Sequence, residues 1–188
     1  MFISATQLRP GMLINPQGEL YRIMSVMHIT PGNKRGMMQT KMRNLRSGLQ
    51  TENRFRSEDR VERVTLEQHE MEFLYRSGDE FHFMNVETYQ QIGLTEEVLG
   101  EAVNYLPPNI RVQIEFHDGT QPVGVTLPKT VDLTVTDTAP GVKNATVNNV
   151  LKPATTETGL VVQVPNFVDV GDVIRVDTET GEYLSRAK

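Results

Sequence analysis

The 188-residue chain contains no cysteine and no tryptophan. Lack of thiols excludes disulfide scaffolding, thiolate zinc sites and cysteine nucleophiles. No apolar run approaches the roughly 20 residues needed to span a bilayer. The N-terminus, Met1-Phe2-Ile3-Ser4-Ala5, lacks the basic and apolar regions of a secretory signal. These absences predict a cytoplasmic protein with no membrane partner. Metal-ligand spacing is missing too, because His28, His69, His82 and His117 form no His-x-x-x-His pair. There is no Gly-x-Ser-x-Gly, P-loop or dinucleotide-binding glycine pattern. Glu70 with Glu72 and Glu96 with Glu97 are read as solvated faces of a strand and a helix. No active site, metal or cofactor is expected, so the chain is read as a non-enzyme.

What is present is unevenly charged. The net charge of −5 divides into +6 over residues 1–63, −9 over 64–127 and −2 over 128–188. A basic first third can meet phosphates, whereas the middle third is repelled by them. With 2 basic against 11 acidic residues, the middle segment argues against a generic single-stranded RNA-binding module.

Periodicity predicts a mainly β chain of three small tandem barrels, at 1–63, 64–127 and 128–188. In the first, strands are expected over Leu20–Ile29, Met37–Leu45 and Leu49–Phe55, separated by Pro/Gly/Asn turns. The second carries clean alternation at Met71, Phe73 and Tyr75, and again at Ile110, Val112, Ile114 and Phe116. Only residues 87–106 read as helical, with Thr95 as a cap ahead of Glu96-Glu97. In the third, Val131, Leu133 and Val135 alternate, then strands resume at Leu160–Val164 and Val173–Val176.

Two stretches stand out. The first is the polar tip Thr30-Pro31-Gly32-Asn33-Lys34-Arg35-Gly36, followed by Lys41, Arg43 and Arg46. Lys41 and Arg43 share a strand face, and cations on such a loop and strand can engage RNA phosphates. The second runs from Lys152-Pro153-Ala154 through Gly159 and Val162-Gln163-Val164-Pro165 to Val168 and Gly171.

That second stretch resembles the C-terminal signature of the elongation factor P family, the bacterial relatives of eukaryotic and archaeal initiation factor 5A. Lys152, Ala154, Gly159, Val162, Val164, Pro165, Val168 and Gly171 meet every signature position. His82-Phe83-Met84-Asn85, Pro31-Gly32 and the ending Val176–Arg186 resemble the family as well. The resemblance implies an SH3-like N-terminal barrel followed by two OB-type barrels, together shaped like a tRNA. It implies a monomer that binds the ribosome, contacting ribosomal RNA and the acceptor end of the peptidyl-tRNA, and not DNA. There it relieves stalling at consecutive prolines. The tip, Pro31 to Gly36, would face the peptidyl-tRNA; Lys41, Arg43 and Arg46 would meet phosphates; Tyr183 and Arg186 would face the small subunit. Many members carry a modified lysine or arginine directly after the tip Pro-Gly. Here Asn33 holds that position, with Lys34 one step later as the alternative modification site. The neighbouring reading is an elongation-factor-P-like paralogue with a distinct ribosomal role.

Overall fold

The computed structural model describes residues 1–32, 35–141 and 150–187. The expectations placed on Asn33 and Lys34 lie outside the described residues. Within them the chain forms sixteen strands in three curled antiparallel sheets.

The first sheet has the order β1-β6-β2-β3-β4-β5, from β1 (Phe2–Ser4), β2 (Leu13–Ile14), β3 (Tyr21–Ile29), β4 (Met37–Asn44), β5 (Gln50–Arg56) and β6 (Arg60–Val64). Strict alternation in β4 sends Met38, Thr40, Met42 and Asn44 inward and leaves Met37, Lys41 and Arg43 exposed. The inward methionines join Ile3, Leu8, Ile14 and Ile23 in the core. Thr40 is admitted because its hydroxyl donates to the Asn53 carbonyl at 3.1 Å. Buried Asn44 starts the turn into β5, its Oδ1 accepting the Arg46 and Ser47 amides at 2.8 and 3.0 Å. Gly48, at φ +70°, completes that turn, since φ > 0 carries little steric penalty without a Cβ.

The middle sheet, ordered β11-β10-β7-β8-β9, comprises β7 (Glu67–Ser77), β8 (Glu80–Asn85), β9 (Gln91–Thr95), β10 (Arg111–His117) and β11 (Gln121–Thr126). Its centre is aromatic. Phe83 is fully buried, with its ring centroid 5.3 Å from that of Phe73. The helix expected over 87–106 is largely replaced. Gln91–Thr95 is strand β9, followed by one helical turn, α1 (Glu96–Leu99), and a 3-10 segment, Gly100–Tyr105. Ile92 pairs with Phe83 and Leu94 with Phe81, so two apolar residues counted toward a helix follow strand spacing. Gly100 at φ +57° then ends α1. Thr95 does occupy the cap position, but its hydroxyl makes no capping bond.

The third sheet, ordered β14-β13-β12-β15-β16, is built from β12 (Thr130–Thr138), β13 (Leu151–Thr156), β14 (Val161–Pro165), β15 (Val173–Asp177) and β16 (Tyr183–Arg186). Here the C-terminal signature acquires a physical meaning. Ala154, Val162, Val164 and Val168 are in the core, while Gly159 and Gly171 turn the chain at φ +87° and +91°. Even Lys152 is buried, its Nζ donating to the Ala139 carbonyl at 2.5 Å with Asp169 at 4.0 Å. The signature therefore specifies a packed barrel edge.

On the outer face of this sheet, Asp132 and Arg175 stand opposite each other across β12 and β15 and form two parallel hydrogen bonds of 2.8 and 3.0 Å. The guanidinium bonds hold the Asp132 carboxyl below its ordinary range. A depressed carboxyl stabilises the fold above its unfolded value near ~3.9 and loses that contribution as pH falls through the folded value. Asp132→Asn is expected to cost less than about 1 kcal/mol at neutral pH, because the pair is half exposed and screened. Urea midpoints for the two proteins should converge as pH falls through the lowered folded value of Asp132.

Two compact units emerge: Met1–Glu67 with Glu115–Gly124, and Gln68–Ile114 with Val125–Lys188. Within the first, Arg22 reaches Glu115 on β10 at 3.6 Å. Within the second, Tyr105 and Ile110 pack on the core of the third sheet, and Thr158 Oγ1 donates to the Asn104 carbonyl at 2.6 Å. Burial, with Glu101 and Asp177 adding to it, raises the Tyr105 hydroxyl above its usual pKa.

Candidate functional site

The β3–β4 hairpin carries residues 30–36 between its last cross-strand pair, Ile29 and Met37. The tip expected from the sequence therefore leaves one end of the first sheet. Directly opposed residues share a face of an antiparallel sheet, so the register sets out the surface beneath the tip. Going down from it, the rows across β3, β4 and β5 are Ile29–Met37–Arg56, Met27–Gln39–Arg54, Ser25–Lys41–Glu52 and Arg22–Arg43–Gln50. Five cations share that face with a single carboxylate.

The expected residues are not equally available. Lys41 lies 3.5 Å from Glu52, and Arg22 is matched by Glu115. Among the described residues, Arg43, Arg54 and Arg56 are exposed and have no carboxylate within ion-pair distance. Arg22 and Arg43 face each other across the ladder, and like charges so placed repel unless an anion lies between or beside them. Arg46 is not part of this group. It sits in the turn at the other end of β4, a strand about 25 Å long at ~3.3 Å per residue, away from the tip. Arg35, at the tip, donates to Glu58 Oε1 at 2.8 Å and is thereby engaged within the protein.

Arg54 and Arg56 are functional candidates that the sequence reading missed. A signal existed: the turn Arg46-Ser47-Gly48 sets a hairpin in which 41 pairs with 52, 39 with 54 and 37 with 56. Following that register from Lys41 places both arginines on the same face as Lys41, at the end of the sheet where the loop begins.

At the far end of the chain, Tyr183 is half-buried and packs against the third core, so much of its ring is already used. Arg186 lies 3.2 Å from Asp172 and places its guanidinium 5.6 Å from the centroid of exposed Phe167. An aromatic face with a guanidinium above it is compatible with stacking on a nucleobase. Among the described residues no group of three or more His, Cys, Asp or Glu could hold a metal ion. No helix of the described residues is long and apolar enough to cross a membrane.

Comparison with known proteins accounts for the whole chain. Residues 4–61 match the elongation factor P KOW-like domain, 66–125 the elongation factor P OB domain, and 131–186 the elongation factor P C-terminal domain. Elongation factor P of Acidobacterium capsulatum is 55% identical over 187 residues, covering 100% of both chains. That of Symbiobacterium thermophilum is 47% identical over 185 residues, covering 98% of this chain and 100% of the relative. Among solved structures, eukaryotic translation initiation factor 5A from Methanococcus jannaschii matches 68% of this chain and 92% of its own. Its TM-score is 0.58 at 18% identity, a likeness of fold. With all three domains matched in order and full-length relatives above 40% identity, the chain belongs to the elongation factor P family of translation elongation factors.

Proposed function

We propose that this chain binds the ribosome as a monomer beside the peptidyl-tRNA, presents residues 31–36 to its acceptor end, and accelerates peptide-bond formation at consecutive prolines. The observation that carries this reading is the unneutralised arginine face of β4 and β5, which runs up to the Ile29–Met37 pair where the hairpin loop begins. Arg43, Arg54 and Arg56, with Lys41 contributing less, take backbone phosphates. Tyr183 and Arg186, on the third sheet, meet the small subunit, aided by Phe167. The domain boundaries that go with this reading are 1–63, 64–127 and 128–188, supported by β6 ending at Val64 and β12 beginning at Thr130.

Proline is a slow substrate partly because its ring restricts backbone geometry. A factor that orders the reactants lowers the entropic part of the barrier and needs no acid, base or nucleophile of its own. Asn33 acts unmodified, an amide that can both donate and accept hydrogen bonds.

The test is synthesis of a triple-proline peptide in a reconstituted translation system, with unmodified recombinant protein added or omitted. The protein is expected to speed synthesis at least about tenfold on the proline template and negligibly on a proline-free one. Asn33→Ala is expected to reduce that stimulation. Demonstrated ribosome binding without stimulation would instead assign the activity to a modified Lys34.

A further inference from the structure

We propose that Gly36, His28 and Ser57 form a clasp that sets the direction in which residues 30–36 leave the sheet, making them positioning residues for the stimulation proposed above, on which this inference rests. Gly36 lacks a positive φ, so its backbone does not demand glycine. Space demands it. A Cβ at position 36 would stand 2.8 Å from His28 Nε2 and 2.8 Å from Ser57 Oγ, closer than such atoms approach. One backbone bond ties the same place down, the Ser57 amide donating to the Gly36 carbonyl at 3.1 Å.

Ser57 is the neighbour that does not yield easily. Ser57 Oγ is buried and has no hydrogen-bond partner among the described residues, so this hydroxyl is held where it gains nothing from bonding. His28 is exposed, so its ring can swing partly aside from position 36, whereas the buried Ser57 hydroxyl stays. Arg35 adds a second tie to the same turn through Glu58, next in sequence to Ser57. Since the Arg35–Glu58 pair is exposed, it supplies direction more than strength. The turn between β5 and β6 thus holds the downstream end of the loop at Arg35 and Gly36. Productive alignment is steep in distance: an error of about 1 Å can cost on the order of 100-fold in rate.

The clasp predicts a loss of maximal rate without a loss of binding, because the arginine face is untouched. Triple-proline synthesis is measured against factor concentration for wild type, Gly36→Ala, His28→Ala and Gly36→Ala/Ser57→Gly, each checked by thermal unfolding. Gly36→Ala is expected to lower the maximal rate about tenfold while the half-saturating concentration stays within about twofold. His28→Ala, which opens the clasp without adding bulk, should lower it by a smaller factor. Removing the Ser57 hydroxyl makes room for the new methyl, so the double variant should recover most of the lost rate. Wild-type maximal rates in both single variants would overturn the clasp, as would a Gly36→Ala defect seen only in the half-saturating concentration or left unrelieved by Ser57→Gly. Wild type that binds but gives no stimulation would overturn the reading that Asn33 acts unmodified, and the clasp with it.

Discussion

Arg54→Glu combined with Arg56→Glu is expected to weaken ribosome binding by on the order of 50- to 100-fold near ~0.1 M salt. The estimate follows from counterion release. A cation that neutralises one phosphate contributes a slope of about 0.9 in log affinity against log salt, or a factor of roughly 8 between 1 M and 0.1 M. Two such contacts multiply to about 60, and replacing each cation with an anion adds repulsion. The same variant should flatten the salt dependence by about 1.4 to 1.8 in slope, the range between single-stranded and duplex RNA-like backbones. Both residues are exposed on edge strand β5, so folding should be little affected.

The reversal can be separated from two neighbours. Lys41→Glu should do less, because Lys41 is already balanced by Glu52 at 3.5 Å and its net contribution to the surface field is small. Arg46→Glu should do least, because the turn that carries it lies at the opposite end of β4 from residues 30–36. Binding measured by ribosome co-sedimentation across a salt series distinguishes the three. Equal losses for Arg46 and Arg54/Arg56 variants would mean that general charge, not this face, drives association.

Some of this surface was legible in the sequence and some was not, for physical reasons. Lys41 and Arg43 were readable because β4 alternates strictly: burial of Met38, Thr40 and Met42 forces the odd-numbered residues out. Arg54 and Arg56 were obscured because β5 is solvent-exposed at six of its seven positions, leaving no hydrophobic alternation to report its faces. Their placement comes from cross-strand pairing, which depends on a partner elsewhere in the chain. The same limit hid the Arg35–Glu58 pair and the approach of Ser57 to Gly36, contacts made across 20 or more residues. In the middle barrel, Ile92 and Leu94 were assigned to a helix because a short apolar run fits either period; only pairing with β8 decides it. The signature from Lys152 to Gly171 was recognised by spacing, and the fold explains that spacing as inward strand positions and two turns.

Phe83→Ala is expected to be the most destabilising single change considered, at about 3–5 kcal/mol. Phe83 is fully buried on β8, a strand paired on both sides, with Phe73 opposite it on β7 and Ile92 opposite it on β9. Truncation removes a whole ring from the centre of that sheet and strips Phe73 of its 5.3 Å aromatic neighbour. The strands flanking the void are tied by ladder hydrogen bonds and cannot collapse far into it, which places the cost in the upper part of the range. Phe83 belongs to the unit made of Gln68–Ile114 and Val125–Lys188. For a unit of this size, each kcal/mol lowers the melting temperature by roughly 4–8 °C, so a drop of more than about 10 °C is expected in its transition. The unit that carries Met1–Glu67 has its own core around Ile14, Ile23 and Met42, and its transition should move much less. Calorimetry of the full chain reads both: two transitions that separate in the variant would establish that the tip-bearing unit is stable by itself. A single transition falling as a whole would instead make the chain one cooperative body, so that damage to the middle barrel would reach the arginine face and the clasp.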